Sequence, residues 1–237
     1  MTTKSLVLDG SGPRGGVALL EGDDVRASVT FAEGAGFGVT LFGRVAALLQ
    51  ENRLTVADLD LLTVALGPGS FTGLRFALGL AKGMAWVHGL PIVGVSTLAS
   101  VANQVRGEAD WILPMREAGN DFIFFALYHT RNWDLIPVQP PTMGRVADVL
   151  TMLDAHLGEE PVFCCGCGVA GYRNPLQAHL GKRLRMEASP LPQPSPEFLG
   201  SMGLKLWQAG SWPNPMDLEP LYLRPPQAQM NRRELSG

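Results

Sequence analysis

Hydrophobic positions along the chain fall into two alternating patterns. Short apolar runs bounded by glycine or charged residues give way to longer stretches in which apolar residues stand three or four apart. In the first half, KSLVLDGS (4–11), GGVALLEG (15–22) and DVRASVTF (24–31) predict three strands. VTLFGRVAALLQ (39–50) places Leu41, Phe42, Val45, Leu48 and Leu49 at helical spacing. LDLLTVALG (59–67) predicts a buried strand, and LGPGSFTGLRFALGLAKGMAW (66–86) a glycine-rich turn running into a helix. LPIVGVS (90–96) predicts a strand and TLASVANQVRG (97–107) a helix.

The second half repeats the order. WILPMREA (111–118), DFIFFALYH (121–129) and WDLIPVQP (133–140) predict strands. VADVLTMLDAHLG (146–158) is helical, with Val146, Val149, Leu150 and Leu153 on one face. PVFCCGCGV (161–169) is a β-rich run, GYRNPLQAHLG (171–181) a weak helix and KRLRMEA (182–188) an edge-like strand. PEFLGSMGLKLWQAG (196–210) is a last helix opened by Pro196. The pattern βββαβαβα therefore occurs twice, predicting an α/β protein of two lobes, each a mixed sheet with flanking helices. The boundary is expected within 103–110, giving an N-terminal lobe of residues 1–104 and a C-terminal lobe of 105–222. Residues 223–237 form a polar, proline-broken tail expected to be disordered.

Composition narrows the function classes. With 237 residues, 46% hydrophobic and 17% charged, the chain can bury a substantial core. A formal charge of −3 and a pI near 5.8 give no footprint for independent nucleic-acid binding. No apolar run is long enough for a signal peptide or a membrane span, so a cytoplasmic protein is expected.

The turn at residues 67–73 invites a phosphate-binding reading, because free N–H groups at a helix start face an anion. A Walker A loop needs lysine and a hydroxyl residue after its last glycine, whereas Leu74 and Arg75 follow Gly73. The dinucleotide glycine spacing is also missing, and Ser70 or Thr72 can cap the helix instead. Beyond the turn, Ala77, Ala81 and Ala85 recur every fourth residue, as do Gly79 and Gly83. Interior helix glycines cost roughly 1 kcal/mol against alanine, and a face without bulk lets another backbone approach closely. That neighbour is either the chain's own sheet or a helix of a second subunit.

Other candidate chemistry is sparse. Asp9 closes the first strand, and Ser11 lies in the turn that follows, where a two-lobed nucleotide-binding fold would place a phosphate loop; an Asp-Gly hairpin turn has the same sequence. Cys164, Cys165 and Cys167 lack the second pair of a zinc site and read as buried small hydrophobes. His88, His129, His156 and His179 form no metal-binding pair on one helical face. Lys182, Arg183 and Arg185, and Arg232 with Arg233, read as solvated surface.

GPGSFTGLRFALGLAKGMAW followed by PIVGVSTL resembles the signature of the TsaB (YeaZ) family, and LVLDGS, GGVALL and EPLYLRP match its start and end in register. The resemblance implies two lobes of the actin/Hsp70/sugar-kinase (ASKHA) type. It also implies a non-catalytic partner of a related TsaD subunit. With the ATPase TsaE, that subunit forms threonylcarbamoyladenosine beside the anticodon of tRNAs reading codons that begin with A. ATP and metal are expected on the partner subunits, so the chain would need no cofactor of its own. The helix corresponding to TsaD's metal-binding helix, near residues 37–50, contains no histidine.

In the family the first two helices form the subunit interface, homodimeric alone or heterodimeric with TsaD, and tRNA is met only through the complex. The expected interface comprises Gly67, Pro68, Gly69, Ser70, Phe71, Thr72, Gly73, Arg75, Ala77, Gly79, Ala81, Lys82 and Gly83, with Leu41 and Val45 from the first helix. Bulky residues at Gly79 or Ala81 are expected to break pairing. DGSG stands where the family usually has DTST, which removes a threonine hydroxyl and weakens Asp9 and Ser11 as nucleotide-pocket residues. The competing readings are an ASKHA-type ATPase or phosphotransferase, a glycoprotease-like metalloenzyme, and a tRNA-binding module.

Overall fold

A computed structural model describes residues 2–32, 37–186, 192–210 and 212–223. The first five-stranded sheet contains β1 (Lys4–Asp9), β2 (Arg14–Glu21), β3 (Asp24–Ala32), β4 (Leu61–Gly67) and β5 (Ile92–Ser96). Helices α1 (Phe37–Glu51), α2 (Phe71–His88) and α3 (Thr97–Gln104) are interleaved. The second sheet contains β6 (Trp111–Gly119), β7 (Phe122–Arg131), β8 (Asp134–Gly144), β9 (Val162–Cys165) and β10 (Leu184–Met186). Its helices are α4 (Val146–His156), α5 (Val169–Leu180) and α6 (Pro196–Gln208).

Strand order is β3-β2-β1-β4-β5 in one sheet and β8-β7-β6-β9-β10 in the other. In each, an antiparallel meander continues through two parallel pairings, so the lobes share one topology. This is the doubled βββαβαβα arrangement of the ASKHA type.

The strands alternate their side chains between two packed faces. Leu6, Leu8, Leu62 and Val64 point toward α1 and α2, while Val7, Leu61 and Ala65 point toward α6. In the second sheet Leu113 and Cys164 face α4 and α5, and Ile112 and Cys165 face α3. Burial pushes the Cys164 thiol up to about 12, so it packs as a neutral hydrophobe. Met202 of α6 touches the cores on both sides, which places α3 and α6 together in the layer between the sheets.

That layering answers what the sequence leaves open, on which lobe the last helix packs. Helix α6 follows the second sheet in sequence yet seats on the first, where Gly200 lies against Leu20 and Val7, and Gly203 against Thr63. Residues 212–223 also return to the first lobe. Leu218 enters its core, and the Leu221 N–H donates to the Leu66 carbonyl at 2.8 Å. Conversely α3, the last element of the first repeat, packs against β6, β7 and β9. Of the expected tail, 223–237, Leu223 is described, with its N–H donating to the Leu221 carbonyl at 3.2 Å, while residues 224–237, Arg232 and Arg233 among them, lie outside the described residues.

Candidate partner interface

The glycine-rich turn is occupied by the chain itself. A Cβ at Gly69 would overlap the Ser11 carbonyl oxygen, and one at Gly73 the Gly10 carbonyl oxygen. The two loops lie backbone to backbone. The Ser70 N–H donates to the Ser11 carbonyl at 2.8 Å, and the Ser70 hydroxyl caps α2 by accepting from the Gly73 N–H at 3.2 Å. Amides that would greet an anion thus serve carbonyl and hydroxyl groups of the chain. The glycines are needed for this close approach, with Gly67, Pro68 and Gly73 buried and Gly69 half-buried.

Asp9 and Ser11 lie beneath this contact, 2% and 0% exposed. Desolvation raises the Asp9 carboxyl above its ordinary range, partly opposed by hydrogen bonds from Ser11 and the charge of Arg116. Arg116 reaches across from the second lobe, and its Nη2 donates to the Ser11 carbonyl at 2.7 Å. The expected nucleotide-pocket pair is therefore sealed under a carbonyl already serving two donors. Among the described residues, no group of three or more His, Cys, Asp or Glu side chains is placed to hold a metal ion.

Helix α2 settles which of its small residues meet what. Ala77, Ala81 and Ala85 are 0%, 0% and 4% exposed and pack into the chain's own core. Leu41 and Val45 of α1 join them there. These four expected interface residues, Leu41, Val45, Ala77 and Ala81, are corrected: they face the sheet, because the alanine stripe lets α2 lie close to it. Ala81 is consequently no surface position for a bulky substitution. Gly79 and Gly83 lie on the opposite side, exposed, and a Cβ at either would meet nothing within 4 Å. The two series, offset by two residues in sequence, serve opposite faces.

Around those open glycines is an exposed apolar surface. Phe42 is 62% exposed, Phe76 50%, Val39 80%, Trp86 78% and Val87 73%. Between α1 and α2 runs an open trough of about 420 Å³ lined by Gly38, Val39, Phe42, Arg75, Phe76, Gly79 and neighbouring leucines. Gly38 makes room for the Phe76 ring, which fixes how closely the helices approach. Contiguous exposed apolar patches of this kind mark interaction sites. Phe42 was expected on the buried stripe of α1, and Phe76, Trp86, Val39 and Val87 were not singled out. The signal for Phe76, Trp86 and Val87 in the sequence is that α2 carries large apolar residues outside its buried alanine stripe, more than that stripe needs.

The remaining motif residues sit at the edge of this surface. Phe71 and Thr72 are exposed. Arg75 stacks 3.9 Å from the Phe71 ring centroid and its Nε donates to the Tyr222 hydroxyl at 2.8 Å. Lys82 is half-buried and its Nζ donates to the Met216 carbonyl at 2.8 Å.

Known proteins share both sequence and fold with the chain. Residues 38–160 match the family described as TsaD: tRNA N6-adenosine threonylcarbamoyltransferase. The tRNA threonylcarbamoyladenosine biosynthesis protein TsaB of Bacillus subtilis (strain 168) is 30% identical over 84% of this chain and 86% of its own length. The chain belongs to the TsaB (YeaZ) family. The TsaB of Escherichia coli (strain K12) is 41% identical over a segment covering 34% of this chain and 36% of that protein. YeaZ from Pseudomonas aeruginosa superimposes with a TM-score of 0.75 at 25% identity, covering 93% of this chain and 100% of the other.

Proposed function

We propose that this TsaB-family chain is a non-catalytic subunit of the machinery that forms threonylcarbamoyladenosine beside the anticodon of tRNAs reading A-starting codons. It docks on a TsaD-like catalytic subunit and stabilises that subunit's competent state. The observation that carries this reading is the open apolar trough across α1 and α2, in a family whose relatives are named for this biosynthesis. Removing apolar surface from water contributes about 25 cal/mol per Å², so covering the trough and its aromatic rim favours association.

The partner brings the metal and the transfer chemistry, and a TsaE-like ATPase brings nucleotide turnover. The chain meets tRNA only within the complex, in the cytoplasm, and pairs with a second copy through the same face when alone. The sealed position of Asp9 and the occupied turn amides favour this division of labour over a phosphotransferase. Reconstitution from purified TsaD-like and TsaE-like subunits tests it: modified tRNA should form only when this chain is added. Equal yield without the chain would overturn the reading, and ATP turnover by the isolated chain that is lost in Asp9→Asn would replace it with the enzyme.

A further inference from the structure

The charge on the α1–α2 face runs against that of the whole chain. The protein carries a formal −3 with its histidines neutral, yet α1 and α2 hold Arg44, Arg75 and Lys82 against a single carboxylate, Glu51, at the last residue of α1. Among the described residues, the ion pairs lie elsewhere, at Arg26–Glu21, His179–Asp154 and Lys205–Asp134. The acids of the adjoining segment, Asp217 and Glu219, are exposed on residues 212–223. That segment bonds to Leu66 of β4, packs against Gly94 of β5, and meets α2 through Met216 at Lys82 and Tyr222 at Arg75.

Arg75 is the cation at the trough itself, and it is held in place. Its guanidinium lies over the Phe71 ring and 5.5 Å from the Tyr222 centroid, with Nε tied to the Tyr222 hydroxyl. The stack and the single bond fix the guanidinium plane and leave its terminal nitrogens without a carboxylate among the described residues. A guanidinium presented this way has already lost much of its side-chain freedom, and its planar fork suits a carboxylate.

Resting on the docking role above, we propose that the trough is matched to a different protein. That partner's docking face is apolar at its centre and bears carboxylates at its rim, one of them pairing with Arg75. A second copy of this chain is the poorer occupant. A two-fold pairing sets the same patch against itself, so cations would meet cations with few acids to answer them. Tyr222 is a positioning residue: the C-terminal segment contributes to recognition by holding Arg75.

Salt and charge reversal separate the two occupants. The full chain is titrated against the TsaD-like subunit of the same cell, and its self-association is measured by sedimentation equilibrium, both between about 0.05 and 0.5 M NaCl. Heterologous Kd should rise about tenfold with salt, while self-association should hold or tighten as repulsion is screened. At low salt, Arg75→Glu should weaken the heterologous complex tenfold or more without weakening self-association. Tyr222→Phe, which keeps the ring and removes the hydroxyl, should weaken it a few-fold. Unchanged melting of the variants confirms that they fold. Heterologous binding indifferent to salt and to Arg75→Glu, or self-association that Arg75→Glu destroys, would overturn the charge match while leaving docking intact. No binding of the native chain to that subunit would overturn the docking role itself.

Discussion

Helices α1 and α2 cover the outer face of the first sheet as α4 and α5 cover that of the second, at the same places in the same strand order. Their inward residues do the same work: Leu41, Val45 and Ala77 on one side, Val149, Leu153 and Leu176 on the other. Their outward residues differ in kind. On α4 and α5 the exposed positions include Asp148, Thr151, Asp154, Arg173, Asn174 and Gln177, and His179 bonds Asp154 at 2.8 Å across the pair. On α1 and α2 they include Val39, Phe42, Phe76, Trp86 and Val87. Since one architecture tolerates a polar exterior, the apolar exterior of α1 and α2 is not a requirement of folding.

The comparison is broken most severely by putting charge on the apolar pair. Phe42→Asp with Phe76→Asp should weaken association with the TsaD-like subunit at least about 100-fold, since aromatic anchors dominate interfaces. Phe42 is 62% exposed, so Phe42→Asp alone should leave the melting temperature little changed while still weakening association, and Phe76, whose ring also seats against Gly38, adds a modest lowering; calorimetric titration beside a melting curve checks both.

Overpacking the inward face should do the reverse. Ala77→Leu inserts bulk at a position that is 0% exposed and should cost about 1–3 kcal/mol of stability, read as a lowered melting temperature. Association should follow only in proportion to the folded fraction.

A smaller effect concerns Asp9. Its folded pKa is raised above the ordinary value of 3.8 by burial, so the unfolded chain releases this proton first as pH rises. Stability is therefore lost as pH climbs from about that value through the raised folded one. Asp9→Asn keeps an oxygen for the Ser11 N–H and removes the titration. It should melt higher than the native chain at neutral pH, with the advantage vanishing in acid. An advantage constant with pH would contradict a carboxyl whose folded pKa burial raises. Smallest of all, His179→Ala on the polar pair removes a solvent-screened contact worth well under about 1 kcal/mol, and calorimetry should show association unchanged.

Most of the fold was legible because strands and helices carry their burial in their spacing. The runs at 4–11, 15–22 and 24–31 become β1 to β3, and the repeat of element order anticipates two sheets of one topology. The swap of α3 and α6 between lobes was not legible, because a helix's apolar stripe says that it packs but not on which sheet. The same limit explains the small-residue helix. Spacing of four places Ala77 with Ala81 and Gly79 with Gly83, but it cannot say which series faces the sheet. Alanine fills a close helix–sheet contact with methyl groups, whereas glycine outside leaves a trough that larger side chains surround. The turn at 67–73 was legible as a helix entry, while its real partner, the Gly10–Ser11 loop, is some sixty residues away in sequence and leaves no local signature.

The central claim is that the open glycine side of α2 seats a partner. The direct measurement is the dissociation constant for the TsaD-like subunit of two single variants, Gly79→Trp on α2 and Thr151→Trp on α4. Both positions are exposed in equivalent helix pairs. The account predicts that the tryptophan on α2 abolishes measurable binding while the one on α4 binds as the native chain does. Native affinity in Gly79→Trp, or equal loss in both, would contradict it.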